Sequence, residues 1–249
     1  MEPHPSDGAP APPAVPAGRA GRVAPAALLG LAGAALAAYP ALRGHAVEDG
    51  LAAAELYARP AWLWAHVLAM AGFVLVALGL AAVDRAAQRA AVVGTALLLP
   101  YYGAEAYGLH AVGRRVVETG DAAVLSAGDG AADLFRYEPV AVTLFALGWV
   151  ALALAGARLV VVAVRRSPGP LARAGLVLTA AALATYLPQF FLPPGGRTAH
   201  GVLAAAGLLL LAVDRARAPG AQRPPGSPTR AGAGAGVRPG SVAPTSTVR

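Results

Sequence analysis

The sequence predicts an all-α, polytopic membrane protein: six transmembrane helices in one bundle, between two disordered tails. Three observations carry this. Charged residues are 13% of the 249-residue chain, about half of the roughly 25% usual in soluble domains. The apolar residues are gathered into long blocks: 23–42, 60–83 and 174–196 contain no Asp, Glu, Lys or Arg, 90–113 contains only Glu105, and 139–164 only Arg158. A helix needs about 20 apolar residues to cross a ~30 Å hydrocarbon layer, and five blocks reach that length. The sixth, 198–213, reaches it with its flanks at the interface. Lipid offers the backbone no hydrogen-bond partner, so such spans must be helices. A soluble Ala-rich bundle needs no uncharged runs of this length.

Residues 1–22 (MEPHPSDGAPAPPAVPAGRAGR) are rich in Pro and Ala and read as a disordered cytoplasmic tail. The first span covers about 23–42. Its end, AALAAYP, offers small residues at a cleavage-like site, but the leader before it is long and Pro-rich, so the helix is expected to be retained. EDGLAAAELYA then opens a short interfacial helix with a capping acid. Spans two (60–83) and three (90–113) are joined by DRAAQR, and spans four (139–164) and five (173–193) by RRSPGPLAR. Connections this short make antiparallel neighbours. TGDAAVL, between spans three and four, opens another short interfacial helix. PPGGRTA turns the chain into the sixth span, 197–214, and 218–249 is a basic disordered tail, leaving 23–217 as the membrane domain. AHVLAMAG (65–72) resembles AHGVLAAAG (199–207), but Ala-rich helices match by chance and the copies differ in spacing.

All 20 basic residues are Arg, cysteine is absent, and the net charge is +7. Disulfides and thiolate metal sites are therefore excluded. With both termini inside, 14 of the 20 arginines lie on the inner side, leaving Arg43, Arg59, Arg114, Arg115, Arg136 and Arg197 outside. The positive-inside rule selects this orientation, and with it a multi-pass protein of the cell membrane with both termini cytoplasmic. Topology and a basic tail against an anionic leaflet account for the charge, so no nucleic-acid partner is expected. The expected partner is the lipid bilayer, with a homo-oligomer or a membrane-protein partner left open.

Glu105 breaks the pattern. It lies ~12 Å inside the third span by the helical rise, and intramembrane acids face a cavity or a partner. On a regular helix Gly94, Tyr101, Glu105, Gly108 and Val112 share one face, and the two glycines would admit a neighbouring helix. His110 falls roughly 140° away. Folding the hairpin about DRAAQR puts His66 level with Glu105, so these two are expected to meet, directly or through Tyr101 or water. Pro100 and Pro188 each remove a helical hydrogen bond and open space near Tyr101, Tyr102, Thr185, Tyr186 and Gln189. Tyr39, Tyr57, Trp62, Trp64 and Tyr137 read as an interfacial aromatic belt, and the loop acids as a solvated face.

These residues make an expected polar pocket of Glu105, His66, Tyr101, Tyr102 and Gln189, used for small-solute or ion handling. The alternatives are a scaffold or accessory membrane protein, in which Glu105 and His66 clamp two helices, and a haem or metal protein using His66, His110 and His200. The last lacks any H-x-x-x-H or H-E-x-x-H spacing, so no cofactor is predicted. No nucleophile motif or phosphate cradle is visible, and an enzyme is the lesser expectation.

Overall fold

The computed structural model describes residues 20–217, all of whose regular elements are helical. Of the expected tails, 1–19 and 218–249 lie outside the described residues, while 20–22, expected in the N-terminal tail, form the first turn of α1. α1 (Ala20–Arg43) is followed by a short α2 (Gly50–Ala58), then α3 (Pro60–Gly79), which tightens into a 3₁₀ turn over Leu80–Ala82. α4 (Arg85–Gly103) continues through a π-helical stretch, Ala104–Leu109, into α5 (His110–Thr119). A 3₁₀ turn (Ala122–Leu125) and α6 (Ala131–Arg136) lead to α7 (Pro139–Arg165), α8 (Pro170–Ala184), the single turn α9 (Tyr186–Gln189) and α10 (Pro194–Arg217).

Four of these, Val23–Arg43, Pro60–Ala82, Pro139–Arg165 and Pro194–Arg217, are long and apolar enough to cross a membrane. The other two expected spans are interrupted. The third carries the π stretch. The fifth is a 15-residue α8 that ends at Thr185, where the Thr185 hydroxyl donates to the Ala181 carbonyl at 2.7 Å. Pro188 cannot continue an α-helical ladder, and the chain re-forms only one turn around it.

The long helices form a closed ring. α1 packs on α3, α3 on α4, α4 on α7, α7 on α8, α8 on α10, and α10 returns to α1. Small residues set these distances, as they do where helices gain no hydrophobic drive from lipid. At the α4–α7 crossing Gly94 faces Gly148; a Cβ on Gly94 would stand 2.8 Å from the Gly148 carbonyl oxygen. Gly207 of α10 lies so near α8 that its Cβ would meet the Thr179 amide nitrogen at 2.5 Å. Gly108, expected on the same face as Gly94, is exposed and a Cβ there would meet nothing within 4 Å. The π stretch is the reason: its wider turn takes up extra residues and rotates the following face out of phase.

One end of the ring carries a second apolar layer in which α2, α5 and the 3₁₀ turn pack Tyr57, Leu109, Val116 and Leu125 around Trp62. The expected belt therefore divides. Tyr39, Tyr57 and Trp62 are buried at 3% exposure or less, whereas Trp64 and Tyr137 are 60% and 73% exposed. Belt position follows from sequence depth, but which face of a helix turns inward does not.

At the opposite end Asp84 fixes the α3–α4 turn. Its Oδ1 accepts from the Ala86 and Ala87 amides at 3.0 Å, capping α4, and from Arg158 Nε of α7 at 3.0 Å, while Oδ2 accepts from Arg158 Nη2 and Arg166 Nη2 at 3.1 and 2.9 Å. The Arg158 hydrogen bonds and the two amides outweigh burial and lower its pKa from 3.8 to about 2. A carboxylate depressed in the native state contributes stability that is present above its unfolded value and lost as pH falls through its native one. The chain is therefore expected to lose stability between pH 4 and pH 2, and an Asp84→Ala variant to show less of that loss. Asn caps helices as well as Asp does but lacks the charge that both arginines meet. Asp84→Asn should thus cost about 1–2 kcal/mol and Asp84→Ala, which also loses the cap, about 2–3 kcal/mol, read as thermal unfolding in detergent.

Candidate functional site

Glu105 sits in the first turn of the π stretch and is 7% exposed. The wide turn loosens the regular backbone ladder, and the Trp62 indole N–H donates to the Glu105 carbonyl oxygen at 3.1 Å. This pins α3 to the π stretch and sets the direction of the Glu105 side chain.

The carboxylate then meets three donors. Oε1 accepts from Arg136 Nε and Nη2 at 3.0 and 2.7 Å, and Oε2 lies 3.1 Å from His66 Nε2. Arg136 comes from α6, which folds the end of the α5–α7 connection back over the ring. Its Nη1 donates to Glu48 Oε2 at 2.7 Å, and that oxygen also accepts from the Tyr57 hydroxyl at 2.9 Å. Glu48 Oε1 accepts from Arg43 Nη2 at 2.6 Å, and the Arg43 guanidinium lies 4.7 Å over the Trp62 ring. Charges thus alternate from Arg43 through Glu48 and Arg136 to Glu105. Burial pushes the Glu48 carboxyl up, but Arg43 and Arg136 together hold it below the usual range. Arg136 is held more firmly charged than usual; burial opposes this, and Glu105 and Glu48 prevail.

His66 closes the chain. It is fully buried, and its Nδ1 lies 2.8 Å from the Trp62 carbonyl oxygen. Both ring nitrogens therefore face an acceptor, a carbonyl on one side and a carboxylate on the other. A neutral imidazole has one N–H and can satisfy only one of them. The tautomer of this ring therefore decides which of the two acceptors is served.

Beside this cluster lies a cavity of about 320 Å³. Tyr101, Tyr102 and Glu105 line it together with Arg43, Arg136 and Arg197, and Phe145, Leu187 and Phe190 supply apolar wall. Deeper in the ring the space is filled by aromatic rings: Phe73 lies 5.5 Å from both Tyr102 and Trp149, and Trp149 stacks on Tyr186 at 4.6 Å. These rings floor the cavity on its inner side.

Of the residues expected in the pocket, Glu105, Tyr101 and Tyr102 line it. His66 stands behind Glu105 and touches the cavity only through it. Gln189 is buried at 4% exposure but is not in the wall. The three histidines considered as metal ligands bind elsewhere: His66 as above, His110 Nδ1 with the Tyr57 carbonyl oxygen at 2.7 Å, and His200 Nε2 with the Ala182 carbonyl oxygen at 3.0 Å and the Thr185 hydroxyl at 3.2 Å. Among the described residues no group of three His, Asp or Glu side chains is placed to hold a metal ion.

Arg43, Glu48, Arg136, Arg197 and Trp62 were not singled out by sequence reasoning. Glu48 and Arg136 are 88 residues apart and sit in loops whose charges read as solvated. A usable signal did exist, because one buried acid needs a cation and Arg136 closes the outer connection that ends over span three. Comparison with family models, curated proteins and solved structures finds no match to this chain.

Proposed function

We propose that this is an integral membrane protein of six spans, with both termini cytoplasmic, whose outward-facing pocket around Glu105 binds and handles a small solute. In this reading the α4–π–α5 run and the α8–α9 run supply the third and fifth spans, and interruptions of that kind are tolerated where the backbone faces protein or a cavity. The distribution of arginines supports the orientation.

The observation that carries the reading is a cavity whose wall includes a buried carboxylate, with a fully buried histidine 3.1 Å behind it. A clamp needs only the ion pairs and has no use for a cavity beside them. A solute site needs that volume, and acids at such depth mark solute and ion pathways.

The absence of cysteine makes the test direct. Three single-cysteine variants, Asp129→Cys in the outer connection, Ser167→Cys in the α7–α8 turn and Leu187→Cys in the cavity wall, are reacted in whole cells with a small membrane-impermeant methanethiosulfonate. Asp129→Cys and Leu187→Cys are expected to be labelled from outside and Ser167→Cys only after the membrane is opened. A Leu187→Cys that reacts from neither side, or only with Ser167→Cys, would remove the outward pocket.

A further inference from the structure

We propose, resting on the pocket reading above, that the occupant is a small organic carboxylate: an anion with an apolar body, recognised by Arg197 together with the Arg43 side of the wall.

The first argument is charge. The wall contains three guanidiniums, Arg43, Arg136 and Arg197, against two carboxylates, Glu48 and Glu105. Arg43 and Arg136 are committed to those acids at 2.6–3.0 Å. Arg197 is not: its Nε donates to the Leu192 carbonyl oxygen at 2.9 Å, and among the described residues no acid pairs with it. It therefore enters the wall with its two terminal nitrogens uncommitted, held in place by its own loop. An anion in this wall would meet the unpaired guanidinium.

The second argument is shape and polarity. About 320 Å³ holds on the order of ten liquid waters, so it suits a molecule of about ten heavy atoms. Phe145, Phe190 and Leu187 offer an apolar side to such a body, which a bare inorganic anion would leave unused. Planar guanidinium recognition of a carboxylate is directional as well as charged.

The test uses the full-length Leu187→Cys protein and three probes of nearly equal shape: benzoate, benzyl alcohol and benzylammonium. The rate of modification by a neutral methanethiosulfonate is measured against probe concentration. Benzoate is expected to protect at least about tenfold more effectively than either analogue, one charge-assisted hydrogen bond being worth roughly that factor. Arg197→Gln in the same background should lose about tenfold of the benzoate protection, expressed relative to that variant's own unprotected rate, and Arg197→Lys should recover part of it. Equal protection by benzyl alcohol, preference for benzylammonium, or benzoate protection unaffected by Arg197→Gln would overturn the proposal while leaving the pocket intact. Protection by phosphatidylglycerol in place of benzoate would overturn it in favour of a lipid headgroup. A cysteine that no reagent reaches would remove the pocket itself, and the proposal with it.

Discussion

Glu105→Ala is expected to be among the most destabilising single substitutions in this protein, by about 3–5 kcal/mol, because it strands a buried positive group. The magnitude decides between two accounts. Neutral hydrogen bonds between membrane helices average only about 0.6 kcal/mol. If Glu105 were one polar contact among many, its loss would be of that size. The carboxylate instead accepts from Arg136 twice and faces a fully buried His66, so its removal leaves Arg136 half-paired and the second His66 nitrogen unsatisfied. Glu105→Gln should behave differently. The amide oxygen can still accept from Arg136, and the amide N–H can donate to His66 Nε2 while Nδ1 donates to Trp62. The expected cost is under about 2 kcal/mol. Thermal unfolding of both variants in one detergent measures the gap. Equal losses, or an Ala variant within about 1 kcal/mol of the parent, would show that water solvates this site.

The second large effect is expected at the other side of the same contact. Arg136→Met leaves Glu105 and Glu48 facing each other's side of the site with one fewer cation, again a loss of about 3–5 kcal/mol. It should also loosen α6, which this guanidinium ties to Glu105 and Glu48. Proteolysis in the 120–138 connection is expected to rise before the bundle itself unfolds. The double variant Glu105→Gln with Arg136→Met should cost clearly less than the two singles added together, because the second change removes a charge that the first left without a counterpart. Additive losses, or a connection that stays protease-resistant in Arg136→Met, would contradict the ion chain.

Much of the helical layout could be read directly from the residues. The existence of α1, α3, α7 and α10 follows from long apolar runs, with ends off by up to three residues at α1 and α10, and folding the hairpin about 84–89 placed His66 level with Glu105, although 85–89 prove to be the first turn of α4. Three things were not readable, for separate reasons. The π stretch at 104–109 has no compositional mark, since AEAYGL suits an α-helix as well, and it turned Gly108 away from the face it was expected to share. The partners of Glu105 come from loops, where periodicity carries no information and Arg136 resembles Arg114 or Arg115 in every local respect. Burial of Trp62 beside exposure of Trp64 is a matter of helix rotation about its axis, and a helix as uniformly apolar as α3 has almost no polar face to define that rotation.

Closure of the ring by α10 against α1 has a consequence for biosynthesis. Every other ring contact joins helices near one another in the chain, so α1, α3, α4 and α7 can pack in the order in which they are made, each finding its neighbour already present. The last seam cannot form until α10 is made, when Gly201 comes to lie against Leu36 and Pro40, and Gly33 against Ala205. Arg197 arrives with that same helix. Until then the inner face of α1 is uncovered and the cavity lacks one wall, so a stalled or truncated chain carries ion pairs without a complete site. The pocket is the last part of the molecule to come into existence.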